Sequence, residues 1–216
     1  MSIKRQGPFL PTTKNKNAAF YPSDGRLAAG ERGEMISAQL IRQAETDMNG
    51  LHSACRAAAS RRNGSAALRK EHLRAAEEFR KYQSPLLELW SAQAQRDIVA
   101  GSGGWRGTAI LYLQISPRFF RSGYLRDVVC TRLKQASLTH SERKDVQDAL
   151  LTSIVRRPST GSFRYDCRLA IKVADRSFLQ ELRALCKTRN PWISGRAQRM
   201  EQVILRHAPP SFPTDI

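Results

Sequence analysis

The sequence predicts a helix-dominated α+β fold, an N-terminal helical hairpin followed by a small sheet flanked by helices, and three patterns predict it. From Glu34 to about Ala100 apolar residues return every three or four positions, the period of an amphipathic helix. Phe163 to Val173 (FRYDCRLAIKV) instead alternates, with Phe163, Tyr165, Cys167, Leu169, Ile171 and Val173 on one side and Arg164, Asp166, Arg168, Ala170 and Lys172 on the other. Alternation over aromatic and β-branched types is the mark of a half-buried strand. Thr108 to Ile115 is a short apolar run that fits a second strand beside it. That run also reads as a buried helix, so an all-α fold is the alternative.

Residues 1–33 mix Pro, Gly, Asn and Lys without periodicity and read as a flexible basic arm. The hairpin, residues 34–100, begins with a helix carrying Ile36, Leu40, Ala44, Met48, Leu51, Cys55 and Ala58 on one stripe. Arg61-Arg62-Asn63-Gly64 ends it, and a second helix from Ser65 buries Leu68, Ala75, Phe79 and Tyr82. Ser84-Pro85 restarts the helix, because proline fits the first helical position, and Leu86, Trp90, Ala94 and Ile98 continue the stripe. Residues 101–107 (GSGGWRG) form a glycine-rich hinge. A phosphate-binding loop would run on into Gly-Lys-Ser/Thr, and this one does not.

Residues 108–207 make the basic α+β part. After the first strand, a helix covers Leu125, Val128, Val129 and Leu133. Thr139 and Glu142 have the spacing of a capping box at the start of the next helix, which buries Val146, Leu150 and Ile154. Past the strand at 163–173, Asp175 caps a helix with Phe178, Leu182 and Leu185, and a last helix carries Ile193, Ala197, Met200, Val203 and Ile204. The end, residues 208–216, is a proline-rich tail. No repeat is evident in the sequence.

Charge narrows the function. The 216 residues carry a formal net charge of +17. Of 36 basic residues 27 are arginine, whose planar fork grips phosphate bidentately and stacks on bases. Residues 116–206 alone hold a net +11, a field that attracts phosphate backbones or anionic surfaces. Within that half, Arg118, Phe119, Phe120, Arg121 and Arg126 interleave arginines with rings, the combination that single-stranded nucleic acid favours. Arg164, Arg168 and Lys172 fall on one strand face, about 13 Å apart at ~3.3 Å per residue, a spacing that reaches three separate phosphates.

The expected function is a non-enzymatic nucleic-acid-binding protein, RNA or another single strand favoured, with those eight residues as the contact set. The alternative is an accessory or assembly protein whose basic surface meets an acidic protein or an anionic membrane. An enzyme acting on nucleic acid is the weaker one. His52, His72, His140 and His207 are scattered outside any nucleophile motif, so no catalytic residue is read. Cys55, Cys130, Cys167 and Cys186 lack metal-ligand spacing, and no metal or cofactor is predicted. Separate cysteines, no secretory leader and no membrane-length apolar run predict an intracellular protein, cytoplasmic or nuclear.

Overall fold

The computed structural model describes residues 36–156 and 161–207. The basic arm expected at 1–33 and the tail at 208–216 lie outside the described residues. Nine α-helices make up the described chain: α1 (Ala38–Arg61), α2 (Ala66–Lys81), α3 (Ala92–Ala100), α4 (Trp105–Ile115), α5 (Ser122–Gln135), α6 (His140–Arg156), α7 (Phe163–Val173), α8 (Arg176–Cys186) and α9 (Pro191–His207). A 3-10 turn, Pro85–Trp90, joins α2 to α3. The described residues contain no strand, so the fold is all-α and bundle-like, and the expected α+β class with its small sheet is wrong.

Both expected strands are helices, for different reasons. In α7 the buried residues are Phe163, Asp166, Cys167, Leu169, Ala170 and Val173, which recur at helical steps. Asp166 occupies the middle of that stripe, and a charged residue there hides the period from a reading based on hydrophobicity. Helix α4 buries Arg106, Thr108, Ala109, Ile110, Tyr112 and Leu113, so it is enclosed on almost every side. An element enclosed all round has no polar face to betray its period.

The helices stack in two layers, each packing on the next but one. In one layer α3 packs on α5, α5 on α7 and α7 on α9; in the other α4 packs on α6 and α6 on α8. The core between them is aliphatic and aromatic, with Ile98, Leu113, Leu125, Leu133, Leu150, Ile154, Leu169 and Phe178 fully buried. Helix α1 reaches the bundle through α4, and α2 packs on α1 without burying any residue completely.

Local chemistry fixes the helix ends. Ser37, Ser65, Ser84 and Ser91 each accept a backbone hydrogen bond at a helix start. The capping box at α6 forms as the spacing requires. The Thr139 amide donates to Glu142 Oε2 at 2.7 Å and the Glu142 amide donates to Thr139 Oγ1 at 3.2 Å. Asp175 caps α8 by accepting from the Phe178 amide at 2.9 Å.

At the end of α3, Gly101 takes the left-handed conformation with φ +82°. Buried Arg106 fills the space beside it and donates to the Ile98, Val99 and Ser137 carbonyls at 2.9, 2.7 and 3.1 Å. The bonds to Ile98 and Val99 satisfy carbonyls that the end of α3 leaves without helical partners, and the bond to Ser137 ties that end to the segment between α5 and α6.

Candidate functional site

Helix α7 divides its charges by solvent. Its one acidic residue, Asp166, is fully buried. Arg164, Arg168 and Lys172 stand four residues apart on the exposed side. At 1.5 Å rise per residue, neighbours in this row are about 6 Å apart along the axis, not the ~13 Å of an extended strand. The row therefore survives the change of secondary structure in a more compact form. A spacing of four suits both periods, since it is two strand repeats and close to one helical turn.

Tyr165 anchors the first two cations. The Arg164 guanidinium lies 4.7 Å and that of Arg168 5.6 Å from the Tyr165 ring centre, and Arg164 Nη2 donates to the Tyr165 hydroxyl at 3.1 Å. On the neighbouring helices of the same layer Tyr124 and Lys134 (α5) and Arg199 and Arg206 (α9) are exposed. Tyr124 is 69% exposed, the largest value among the exposed large hydrophobic side chains of the described residues, so its ring faces solvent. Asp127 on α5 is an acidic neighbour of the row's first member and interacts electrostatically with Arg164.

Charges elsewhere are more evenly paired. On α6, Lys144 bridges Asp148 and Glu181 at 3.3 and 3.1 Å. The hairpin pairs Arg61 with Glu71, Arg74 with Glu78 and Lys81 with Glu77.

The other sequence-predicted residues are divided between loop and core. Arg118 to Arg121 belong to the loop between α4 and α5, in which Ser116 and Arg121 take positive φ of 52° and 70°. Arg118 and Arg121 are exposed, whereas Phe119 is buried in the core. Phe120 stacks on His52 at 5.0 Å and meets Phe79 edge-on at 5.6 Å, and the Arg121 guanidinium lies 5.1 Å from its ring centre. Arg126 is buried, 4% exposed, with its guanidinium on Asp166. Burial disfavours the Arg126 cation, but Asp166, with Cys130 and Tyr112 acting in the same direction, outweighs it, and the pKa lies above the usual value. Phe119 and Arg126 are structural members of the core. The structure brings Arg164, Arg168 and Lys172 together and leaves the Arg118–Arg121 loop as a separate surface.

Sequence reasoning missed Tyr165, assigned there to the core, and Arg199. Helical numbering finds Tyr165, since it lies beside Arg164 and one turn from Arg168.

Beside the 116–121 loop, Asn49, Tyr112, Ser116, Arg118, Arg126 and Ser162 contribute to a cleft of about 420 Å³. Its Tyr112 hydroxyl donates to the Ser122 carbonyl at 3.0 Å. The nearby thiols are not activated. Burial, reinforced by Asp166, pushes the Cys130 thiol well above its ordinary pKa and that of Cys167 up to about 12. Among the described residues no group of three His, Cys, Asp or Glu side chains is placed to hold a metal ion, and no helix is long and apolar enough to cross a membrane. No family model matches the chain, no curated protein matches its sequence and no solved structure matches its fold.

Proposed function

We propose that this chain is a non-enzymatic nucleic-acid-binding protein that grips a phosphate backbone with the exposed face of α7, RNA or another single strand being the favoured ligand. One observation carries the reading. The solvent face of α7 presents Arg164, Arg168 and Lys172 in a row, while the only carboxylate of that helix is buried on Arg126. A row about 6 Å in step, long-armed and backed by a net charge of +17, suits successive phosphates better than one small anion. Tyr124 and Tyr165, on adjacent helices, supply ring surface beside the cations, and stacking on aromatic rings favours unpaired bases. The free cysteines are in keeping with a reducing compartment and support a cytoplasmic or nuclear location as part of this reading.

The test is a titration of labelled single-stranded RNA and DNA oligonucleotides by fluorescence anisotropy at increasing salt. Three neutralised phosphates predict an affinity loss of roughly tenfold to twentyfold between about 50 and about 200 mM salt. A flat salt response, or no binding, overturns the proposal. Binding confined to anionic vesicles or acidic proteins would favour an accessory role for the same surface.

A further inference from the structure

The cationic row of α7 ends at a cleft. Lys172, its last member, lines a recess of about 210 Å³ together with Val173, Ser137, Leu138 and Arg143, the last from the first turns of α6. Two cations from different helices thus face one small space. Arg106 lies behind it, its Nη1 donating to the Ser137 carbonyl at 3.1 Å and standing 3.5 Å from Glu142 Oε2. The carboxylates nearby are already engaged. Glu142 accepts from the Thr139 amide, and Asp175, whose charge interacts with Arg143, accepts from the Phe178 amide and from Gln147 Nε2 at 2.8 Å.

We infer that this cleft receives the terminal phosphate monoester of a bound strand, so that the protein prefers phosphate-ended over hydroxyl-ended nucleic acid. The inference rests on the proposal that α7 binds a phosphate backbone, and it adds where the strand stops. The charge count favours an end over an interior linkage. An internal phosphodiester carries one negative charge and is flanked by sugars on both sides. A terminal monoester carries nearly two at neutral pH, with three acceptor oxygens, and has one side free to enter a recess. Arg143 and Lys172 match that second charge. At about 210 Å³ the recess is large enough for a phosphoryl group and its first waters, with Leu138 and Val173 as its apolar lining.

The experiment compares one single-stranded oligonucleotide sequence in three forms, with a 5′-phosphate, with a 3′-phosphate and with hydroxyls at both ends, against the full chain and its Arg143→Gln variant. One phosphorylated form should bind about tenfold more tightly than the hydroxyl form, the scale of one charge-assisted contact, and which end does so assigns the strand's direction. Arg143→Gln, a change on an exposed side chain, should remove that difference and leave the hydroxyl form's affinity within about twofold, because Arg164 and Arg168 are untouched. Equal binding of all three forms to the unmodified chain overturns the inference and leaves the α7 reading standing. Loss of hydroxyl-form binding along with the difference in Arg143→Gln, with the fold intact by circular dichroism, also overturns it, since the cleft would then belong to the general contact. Failure of every form to bind removes both readings.

Discussion

Arg126 and Asp166 form a two-point ion pair inside the helix stack, Nε to Oδ1 at 2.9 Å and Nη2 to Oδ2 at 3.3 Å, with the carboxylate fully buried. Asp166 also accepts from Ser153 Oγ at 3.1 Å and from the Cys130 thiol at 3.4 Å, and Arg126 Nη1 donates to Ser116 Oγ at 3.3 Å. The pair therefore links α5, α6 and α7 and leaves the exposed side of α7 without a carboxylate.

Removing one partner strands the other. Asp166→Ala leaves a buried guanidinium with its main acceptor gone and should cost about 3–5 kcal/mol in urea unfolding. The double variant Arg126→Met with Asp166→Leu should recover a large part of that loss, because it removes both charges from the interior. A single-variant cost under about 1 kcal/mol would mean that the pair does not organise the three helices.

Asp127 gives a test with pH as its variable. Its Oδ1 is buried without a hydrogen-bond partner, and burial raises its pKa, with Asp166 acting in the same direction and Ser162 and Arg164 against it. For an acid whose folded pKa lies above its unfolded value, folding favours the protonated form, so stability rises as pH falls through the folded pKa. Asp127→Asn should therefore melt slightly higher than the unmodified protein at about pH 7, and the two midpoints should converge at about pH 3, where the native carboxyl is protonated too. A variant less stable at pH 7 would contradict this assignment. The gain should be small, because the side chain is partly solvated.

Gly101 and Arg106 depend on each other. A Cβ at Gly101 would lie 2.7 Å from the Arg106 guanidinium, and the backbone there is already left-handed. Gly101→Ala should lower stability by more than the roughly 1–2 kcal/mol of left-handed strain alone, since Arg106 must also leave its carbonyls. A melting midpoint unchanged from that of the unmodified protein would refute this latch between α3 and α4.

The legible parts of the sequence were those where one pattern fitted one structure. The capping box at Thr139 and Glu142, the Asp175 cap and the stripe of α6 carry their signal in local spacing, whereas the expected stripe of α1 holds only in part, since Leu40 is exposed and Ile41 beside it is buried. Helix α7 reads as a strand because Arg164, Arg168 and Lys172 are commensurate with both strand and helix. The residues that separate the two readings are Asp166 and Ala170, exposed in the strand and buried in the helix. Charged Asp166 pointed to solvent until its partner was known, and Arg126 is 40 residues away in sequence. Arg126 itself could have been suspected, since it shares a face with the buried Cys130 and Leu133 at steps of four and seven. The cationic row was found for a reason independent of secondary structure. The ring-and-arginine set around residues 118–126 dissolved because Phe119 and Arg126 turned inward.

The most direct measurement is the salt dependence of oligonucleotide binding by the variant with Arg164, Arg168 and Lys172 all replaced by glutamine. All three side chains are exposed, so the variant should keep its helical circular dichroism and melt within a few degrees of the unmodified protein. Affinity for single strands at low salt should fall for all sequences alike, and the slope of log K against log salt should shrink by about 2, at roughly 0.7 per lost phosphate contact. A variant that folds and binds with unchanged affinity and slope would show that the exposed face of α7 is not where this protein meets a polyanion.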